Sequence, residues 1–341
     1  MTFSIAKNND GSHTYYNNAP YICSNGIAIA DFYLQFETYG DAKNPVIVIN
    51  HALSSSYHLR STSSNQEKGW WENNIAANAS IDTNKFFVIC IANLGGNFGA
   101  SNAANTHKDF PDLSVLDIVN SQIMVLDALK ITNIYAIVGN SIGGFISLVM
   151  AIKLGDRVEK LISISSALKA YPDYKKIHKI QRDLIKQDSL WNNGNYLSNT
   201  FPGMLAARKV GLMSYIGEDD LAATFPNAQQ RERYLNYNAL KFCKNFDPMV
   251  YVKISEMVAG FDCEALLKLE NISFSNLVAK ATIISVTTDV LFLPQQQQEL
   301  YTKIIDEGAV AKIVTISSTK GHDAFYTDNK IAAAIKEALA N

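Results

Sequence analysis

The chain has 341 residues, of which 48% are hydrophobic and 18% charged, and its formal net charge is −2. This balance is that of a soluble globular protein and excludes an intrinsically disordered chain, which needs low hydrophobicity and high net charge. The lack of a basic excess argues against nucleic acid or an anionic membrane surface as the partner. We therefore expect small-molecule substrates.

The cysteines and the N-terminal segment point to an ordinary intracellular protein. The four cysteines lie far apart with no CxxC spacing, so we expect no structural zinc and no other metal. The first residues lack the apolar core of a signal peptide, and no stretch approaches the ~18 apolar residues of a membrane span. These features predict a cytoplasmic location.

Short apolar runs recur along the chain, separated by helical or loop stretches. The first stretch, residues 26–39, alternates between polar and apolar side chains, which indicates one or two antiparallel edge strands. The later runs are rich in Val and Ile without alternation, which is typical of parallel strands buried on both faces. They comprise residues 46–49, 86–91, 134–138, 161–164, 281–286 and 312–316. The pattern predicts an α/β fold with a mostly parallel central sheet flanked by helices.

No comparable run occurs between Ala170 and about Ser275. This region has helical periodicity at residues 177–185, 218–221 and 231–242, with prolines in the loops between them. We therefore predict a core of residues 1–168 and 275–341, interrupted by a helical lid of residues 169–274. The lid should cover the strand ends, where open α/β sheets bind ligands.

The strongest local motif is a GxSxG sequence centred on Ser141, with Gly139 and Gly143 on either side. It follows the strand of residues 134–138 and precedes a helix of residues 145–154, which is the context of a nucleophile elbow. In such a turn the serine Oγ stands clear of the sheet at a helix N-terminus, whose amides favour developing negative charge. Ser141 is therefore the candidate nucleophile.

A nucleophilic serine needs a base, and the base needs an acid that orients it. In this architecture both follow the serine in the chain. Of the six histidines (His13, His51, His58, His107, His178 and His322), only the last two do so. We expect His178 to lie on a solvated face of the helical insertion, so His322, after the last strand, is the candidate base. Asp289, directly after the preceding strand, is the candidate acid.

The loop after the first parallel strand is the expected source of a second oxyanion-hole amide. The backbone amides of Leu53 and Ile142 are the candidates. His51 in the same loop precedes the nucleophile in the chain, and we expect it to hold the loop rather than act as a base.

Taken together, these motifs and others resemble the homoserine O-acetyltransferase family, which has the α/β-hydrolase fold. The matching residues run through most of the chain: His51–Ala52–Leu53, Gly69–Trp70–Trp71, residues 81–89 and 93–96, Asp109–Phe110–Pro111, the elbow, Gln181–Arg182, residues 207–215, 234–242 and 246–247, Asp289 with residues 291–294, and Gly321–His322–Asp323. Several of these motifs are not features of α/β hydrolases in general, which makes the resemblance to this family specific.

The resemblance implies ping-pong transfer of an acetyl group from acetyl-CoA, as co-substrate without a bound cofactor, to the hydroxyl of homoserine in methionine biosynthesis. Arg208 matches the arginine that receives the substrate carboxylate, and Asp323 matches the group that faces the α-amino group, with Tyr215 nearby. A bidentate guanidinium suits a carboxylate, and a carboxylate suits an ammonium. The family also implies a homodimer through the lid helices.

Two departures from the family pattern leave alternatives open. Asn140 and Ile142 replace a Gly and a Met at the elbow, and the loop between Gly96 and Asp109 is shorter than usual. The alternatives are succinyl transfer, transfer to serine or another alcohol, and hydrolysis by a serine esterase of the same fold. A non-catalytic binding protein of this fold would normally have lost Ser141, Asp289 or His322.

Overall fold

A computed structural model describes residues 3–106 and 109–340. Its strands are β1 (Phe3–Lys7), β2 (His13–Asn17), β3 (Tyr21–Ile22), β4 (Ala28–Ile29), β5 (Tyr33–Tyr39), β6 (Val46–Asn50), β7 (Ile75–Ala76), β8 (Ile81–Asp82), β9 (Phe87–Ile91), β10 (Ile134–Asn140), β11 (Val158–Ile164), β12 (Lys280–Val286) and β13 (Ala311–Ile316). The α-helices are α1 (Ala103–Thr106), α2 (Val115–Ala128), α3 (Ile142–Leu154), α4 (Pro172–Lys186), α5 (Pro202–Tyr215), α6 (Glu218–Thr224), α7 (Ala228–Asn245), α8 (Pro248–Ala259), α9 (Cys263–Leu269), α10 (Pro294–Asp306), α11 (Ala324–Thr327) and α12 (Asn329–Ala340). Short 3₁₀ turns lie at Gly155–Arg157, Ser189–Gly194, Phe274–Asn276 and Gly321–Asp323.

The central sheet has nine strands in the order β1-β2-β5-β9-β6-β10-β11-β12-β13. The strands from β9 to β13 in this order pair in parallel, whereas β1, β2 and β5 pair in antiparallel fashion. All six apolar runs therefore form the parallel part of this mixed sheet, and the predicted α/β-hydrolase fold is confirmed. The carboxyl ends of β6, β10, β12 and β13 meet at one edge, which is where such sheets bind ligands.

The antiparallel edge differs from the prediction. Residues 33–39 do form an antiparallel strand, but β5 is not at the edge, because the β1–β2 hairpin adds two further strands outside it. The hairpin escaped prediction because β1 is largely exposed and lacks an apolar run. Side chains help to hold its loop, since Asn8 Nδ2 donates to Ser12 Oγ and Thr14 Oγ1 at 2.8 and 2.9 Å.

Apolar side chains cover both faces of the sheet. Along β6 and β10, Val48 and Ile137 pack towards α2, α3 and α10, whereas Ile49 and Val138 pack towards α12 on the opposite face. This explains why the strands show no polar alternation, because both of their faces are buried in a three-layer arrangement.

Every segment from α4 to α9 lies between β11 and β12, so no strand interrupts residues 172–269. The start of this insertion lies beside the segment that joins α8 to α9. The amide of Ala170 donates to the carbonyl of Phe261 at 2.8 Å, and the amide of Cys263 donates to Leu168 at 3.2 Å. Where the core ends and the lid begins stays a prediction, but the inserted helices do contribute side chains to the cavity described below.

Candidate active site

Ser141 lies in the tight turn between β10 and α3, as the motif predicted. Its backbone has φ +55° and ψ −125°, a strained conformation for a residue with a side chain. The turn is held because the Ser141 amide donates to the carbonyl of Ile164 at 3.0 Å and the Gly144 amide donates back to Ser141 at 2.9 Å. The serine is thus fixed at the N-terminus of α3, where the helix dipole favours negative charge.

The glycines of the motif are required by close backbone approach. A Cβ on Gly139 would lie 2.1 Å from the carbonyl oxygen of Gly143, and one on Gly143 would lie 2.0 Å from the carbonyl oxygen of Asn50. Both contacts are with backbone atoms, which cannot move aside as the end of a flexible side chain can. The spacing of the motif therefore reflects packing of α3 against β6 and β10.

Asp289 and His322 form a buried pair at the ends of β12 and β13. Asp289 Oδ2 lies 2.8 Å from His322 Nδ1, while its Oδ1 accepts the amides of Leu291 and Phe292 at 2.9 and 2.8 Å. Burial alone would lower the pKa of His322, but the charge and hydrogen bond of Asp289, with a smaller contribution from Asp323, raise it above the ordinary histidine value. The carboxylate thus fixes Nδ1–H and leaves Nε2 as the basic nitrogen.

Ser141 and His322 face the same cavity. Its wall comprises Ala52, Leu53, Ser54, Ser141, Ile142, Tyr174, His178, Tyr215, Leu291, His322, Asp323, Phe325 and Tyr326. The cavity brings together the predicted nucleophile and base with both residues of the predicted oxyanion hole, Leu53 and Ile142. An arrangement of this kind can support nucleophilic acyl chemistry.

His51 lies in the same loop as Leu53, the candidate oxyanion donor. Its Nδ1 lies 2.9 Å from the carbonyl of Ala52, and Nε2 accepts the amide of Asn93 at 3.3 Å. Burial lowers its pKa to about 4, so the ring is neutral at physiological pH. With both nitrogens engaged by the backbone, His51 holds the loop, as predicted.

Arg208 is a partly exposed cation whose guanidinium nitrogens are mostly shielded. Its guanidinium carbon lies 3.9 Å from the ring centre of Phe242 and 5.4 Å from that of Tyr215. Its Nε and Nη1 are buried and have no hydrogen-bond partner among the residues that the structure describes. Unpaired buried donors are costly, so this geometry suits an anion supplied by a ligand.

Asp323 and Tyr215 complete the set of predicted substrate-binding residues, and both line the cavity. Burial raises the pKa of Asp323, although His322 and Arg208 oppose the shift. Burial also raises the pKa of Tyr215, again opposed by Arg208. Arg208 is therefore close enough to act electrostatically on both groups, and a cationic ligand beside Asp323 would favour its ionised form.

His178 is the residue for which the sequence prediction was wrong. It is 2% exposed and lines the cavity, instead of lying on a solvated face. The buried residues of α4 are Tyr174, His178, Gln181 and Ile185. Their spacing of four, three and four residues is that of one helix face, and this signal was present in the sequence. Two of these four residues are polar, so the pattern of apolar residues did not indicate that this face of α4 is buried.

The described residues contain neither a cluster of metal-ligating side chains nor a helix that could span a membrane. Across residues 3–106 and 109–340, no three His, Cys, Asp or Glu side chains form a group that could hold a metal ion. In the same ranges, no helix is both long and apolar enough to cross a membrane. His107 and Lys108, in the loop that departs from the family pattern, lie outside the described residues.

Comparison with known proteins agrees with the fold. A family model described as alpha/beta hydrolase fold matches residues 45–328. The crystal structure of homoserine O-acetyltransferase from Bacillus anthracis superposes with a TM-score of 0.87 at 22% identity, covering 97% of both chains. A structure described as esterase E22 gives the same TM-score of 0.87 at 23% identity, covering 96% of this chain and 99% of that one. At these identities the two structures establish the class of fold alone.

Relatives in sequence define the family more narrowly. Homoserine O-succinyltransferase of Neisseria meningitidis serogroup B is 33% identical, over 91% of this chain and 90% of its own. Homoserine O-acetyltransferase of Nautilia profundicola and serine O-succinyltransferase of Stenotrophomonas maltophilia K279a are each 30% identical, over 91% of this chain and 92% of their own. The chain belongs to the homoserine O-acyltransferase family and is an enzyme of that type.

Proposed function

We propose that this enzyme transfers an acetyl group from acetyl-CoA to the side-chain hydroxyl of L-homoserine, with Ser141, His322 and Asp289 as its catalytic triad. The observation that carries the proposal is the shared cavity. It joins Ser141 and His322 with Asp323, and Arg208 presents unpaired guanidinium nitrogens nearby. A hydrolase of neutral esters has no use for a cation and an anion at its acceptor site, whereas an amino-acid acceptor carries both opposite charges.

The first half-reaction acylates the serine. His322 Nε2 removes the proton from Ser141 Oγ, which attacks the thioester carbonyl, and the amides of Leu53 and Ile142 donate to the oxyanion. The tetrahedral intermediate collapses as the C–S bond breaks, and the CoA thiolate takes the proton from His322. Asp289 stabilises the imidazolium during this transfer.

The second half-reaction passes the acetyl group to the acceptor. Arg208 receives the carboxylate of homoserine and Asp323 its ammonium, so that the hydroxyl is directed towards the acetylated Ser141. His322 deprotonates the hydroxyl, which attacks the ester carbonyl. The proton then returns through His322 to Ser141 Oγ as O-acetylhomoserine leaves.

The cavity wall supports acetyl over succinyl as the acyl group. None of the residues that line it in the described parts of the chain is a lysine or arginine, and burial lowers the pKa of His178 to about 3. A succinyl chain ends in a carboxylate, which would need a cation beside it in such a site. Arg208 is the nearby cation, and the proposal assigns it to the acceptor.

The wider setting of the reaction is proposed on the resemblance. Acetylation of homoserine belongs to methionine biosynthesis, and acetyl-CoA serves as co-substrate with no bound cofactor. We further propose a cytoplasmic homodimer that contacts its partner through the lid helices. Size-exclusion chromatography with light scattering tests the dimer.

Intact mass spectrometry tests the nucleophile. Incubation with acetyl-CoA should add one acetyl group to the wild type and to Ser198→Ala, a control at an exposed serine. Ser141→Ala should give no adduct, because the elbow then carries no nucleophile. An adduct that persists in Ser141→Ala would show that the nucleophile lies elsewhere.

Thiol release from acetyl-CoA or succinyl-CoA, each with homoserine, serine or water alone, tests the substrates. We expect acetyl-CoA and homoserine to be the fastest pair, with O-acetylhomoserine as the product by mass. Equal release with water and with either amino acid would favour the esterase alternative. Faster release from succinyl-CoA, or with serine, would correct the donor or the acceptor while leaving the triad in place.

A further inference from the structure

His178 lies on the cavity wall, yet neither half-reaction above uses it. Its Nδ1 lies 2.9 Å from Ser255 Oγ on α8, and the ring of Tyr174 packs beside it with centroids 4.4 Å apart. Its Nε2 has no hydrogen-bond partner in residues 3–106 and 109–340. The imidazole is thus held through Nδ1, and His178 forms part of the cavity wall.

The hydrogen bonds of Ser255 indicate which nitrogen of His178 carries the proton. Ser255 Oγ accepts Nη1–H of Arg182 at 3.0 Å and donates its own hydrogen to the carbonyl of His178 at 3.3 Å. We assign the hydrogen of His178 to Nδ1, because this tautomer satisfies all three contacts of Ser255 Oγ: the hydroxyl accepts from Arg182 and from Nδ1 and donates to the carbonyl. Nε2 is then a bare lone pair, which makes it a hydrogen-bond acceptor.

The environment also keeps the ring neutral. Burial is the main reason why the pKa of His178 falls to about 3, and the positive charge of Arg182 adds to the effect. Arg182 is itself fixed by the carbonyl of Ser255 at 2.9 Å. An acceptor that stays uncharged can face a cation without repelling it.

An amino-acid acceptor brings such a cation into the cavity. Its ammonium carries three N–H donors, and a charged donor left unpaired in a buried site is destabilising. The carboxylate of Asp323 can accept hydrogen bonds from some of these N–H groups, and His178 lines the same cavity. We propose that His178 Nε2 accepts a hydrogen bond from the α-ammonium of the acceptor and so selects amino acids over plain hydroxy acids. This inference rests on the proposed function, because it names a further residue for the same acceptor.

Comparing homoserine with 4-hydroxybutyrate isolates this contact, since the analogue keeps the carboxylate and the hydroxyl but lacks the ammonium. In His178→Leu, the ratio of kcat/KM for homoserine to that for 4-hydroxybutyrate should fall about tenfold or more, which is the range for one hydrogen bond to a charged group. The loss should lie mainly in KM for homoserine. His178→Gln, whose amide oxygen reaches the Nε2 position, should recover part of the ratio.

Lys179→Ala is the matched control, because Lys179 is the next residue of α4 and its side chain is 68% exposed. It should keep the wild-type ratio. A wild-type ratio in His178→Leu would overturn the inference, as would an equal loss with both acceptors, which indicates a structural role. If wild-type enzyme shows no acceptor-dependent deacetylation with homoserine or serine, the proposed function itself fails, and this inference fails with it.

Discussion

Asp289 uses both of its carboxylate oxygens. Oδ1 accepts two backbone amides and Oδ2 faces His322 Nδ1 at 2.8 Å, so the side chain can neither rotate nor be replaced by an amide without loss. An asparagine there would keep the oxygen on the two amides and turn its NH₂ towards His322. The imidazole would then have to present an acceptor at Nδ1, which places the hydrogen on Nε2, the nitrogen that should take the serine proton.

Asp289→Asn should slow acylation by roughly 10³–10⁴-fold while the fold remains intact. The pH profile should change as well. His322 must be neutral to act, and its pKa is raised, so acylation by the wild type should fall with decreasing pH with a midpoint above the ordinary value of about 6.5. Without the carboxylate, the residual activity should show its midpoint at lower pH.

Single-turnover acylation, followed by mass between pH 5 and 9, measures both effects, with circular dichroism as the check on folding. An unchanged midpoint in Asp289→Asn would mean that the titration of another group causes the fall in acylation rate at low pH. A loss of less than tenfold would remove Asp289 from the triad.

Arg208 tests the acceptor half-reaction by itself. Arg208→Ala should lower transfer efficiency to homoserine by about 2–5 kcal/mol, the range for removing one partner of a buried charge pair. Arg208→Lys should recover little of this, because a lysine keeps the charge but not the flat, bidentate group that lies 3.9 Å from the ring centre of Phe242. Acetylation of Ser141 by acetyl-CoA should persist, because donor attack does not use this arginine.

Acetylation and acceptor-dependent deacetylation, measured separately by rapid quench, distinguish the possibilities. Arg233→Ala on the exposed side of α7 is the control for loss of a surface arginine. Equal slowing of both half-reactions in Arg208→Ala would point to general damage or a donor role. No change in either would remove Arg208 from the acceptor site.

At the scale of elements, the loop after β6 is tied to β5 by a partly buried pair of side chains, His58 and Glu37. His58 Nδ1 lies 2.9 and 3.0 Å from the two oxygens of Glu37, and its Nε2 lies 2.9 Å from the carbonyl of Glu67. Both nitrogens face oxygen acceptors, which favours a ring that carries both hydrogens and is cationic. Tyr39 also donates to Glu37. The loop that this pair holds includes Leu53, the candidate oxyanion donor.

The pair should make stability depend on pH in a defined direction. The hydrogen bond to Glu37 raises the pKa of His58 above 6.5 in the folded chain, with burial opposing it. A group of this kind stabilises fully below its unfolded pKa and loses its contribution as the pH rises through the folded value. The Tm of the wild type should therefore fall more steeply between pH 6 and 9 than the Tm of His58→Gln.

Differential scanning fluorimetry across that range measures the two slopes, and the variant cancels the contribution of every other titrating group. Parallel Tm curves for the two proteins would show that His58 does not titrate in this window. A smaller Tm difference at high pH than at low pH is the expected pattern.

At the scale of the whole molecule, the inserted helices and the sheet share one hydrophobic core. Phe261, between α8 and α9 of the insertion, stacks on Phe145 of α3 with ring centroids 3.9 Å apart and planes at 19°. Trp191 and Tyr251 of the insertion belong to the same buried cluster as Val48 of the sheet. A shared core predicts that the two parts unfold together.

Phe261→Ala should destabilise the protein by about 3–5 kcal/mol, the usual cost of truncating a buried aromatic side chain. Tryptophan fluorescence and far-ultraviolet circular dichroism should give one coincident urea transition in both the wild type and the variant. Leu197→Ala is the control, because Leu197 is fully exposed and should change stability by less than about 0.5 kcal/mol. Two separated transitions in the wild type would show that the inserted helices fold as an independent unit.

The sequence by itself determined the parallel strands of the sheet and the positions of the candidate triad residues at the ends of those strands. Buried Val and Ile runs predict strands covered on both faces, and the structure confirms all six. The elbow could be found because its glycines are required by packing between chain neighbours and β6. Asp289 and His322 follow their strands, so their positions in the sequence already brought them to one sheet edge.

Only the tertiary structure determined which polar side chains are buried. His178 was predicted to be solvated because lysines flank it, yet α5 and α8 cover its helix face and the cavity encloses its ring. In the sequence, Arg208 is distinguished from a surface cation only by the family resemblance. The rings beside it, and the lack of a hydrogen-bond partner for two of its nitrogens within the described residues, are seen only in the structure. Spacing along the chain reports what lies on one face of an element. Whether that face meets water or another element depends on contacts between residues far apart in the sequence.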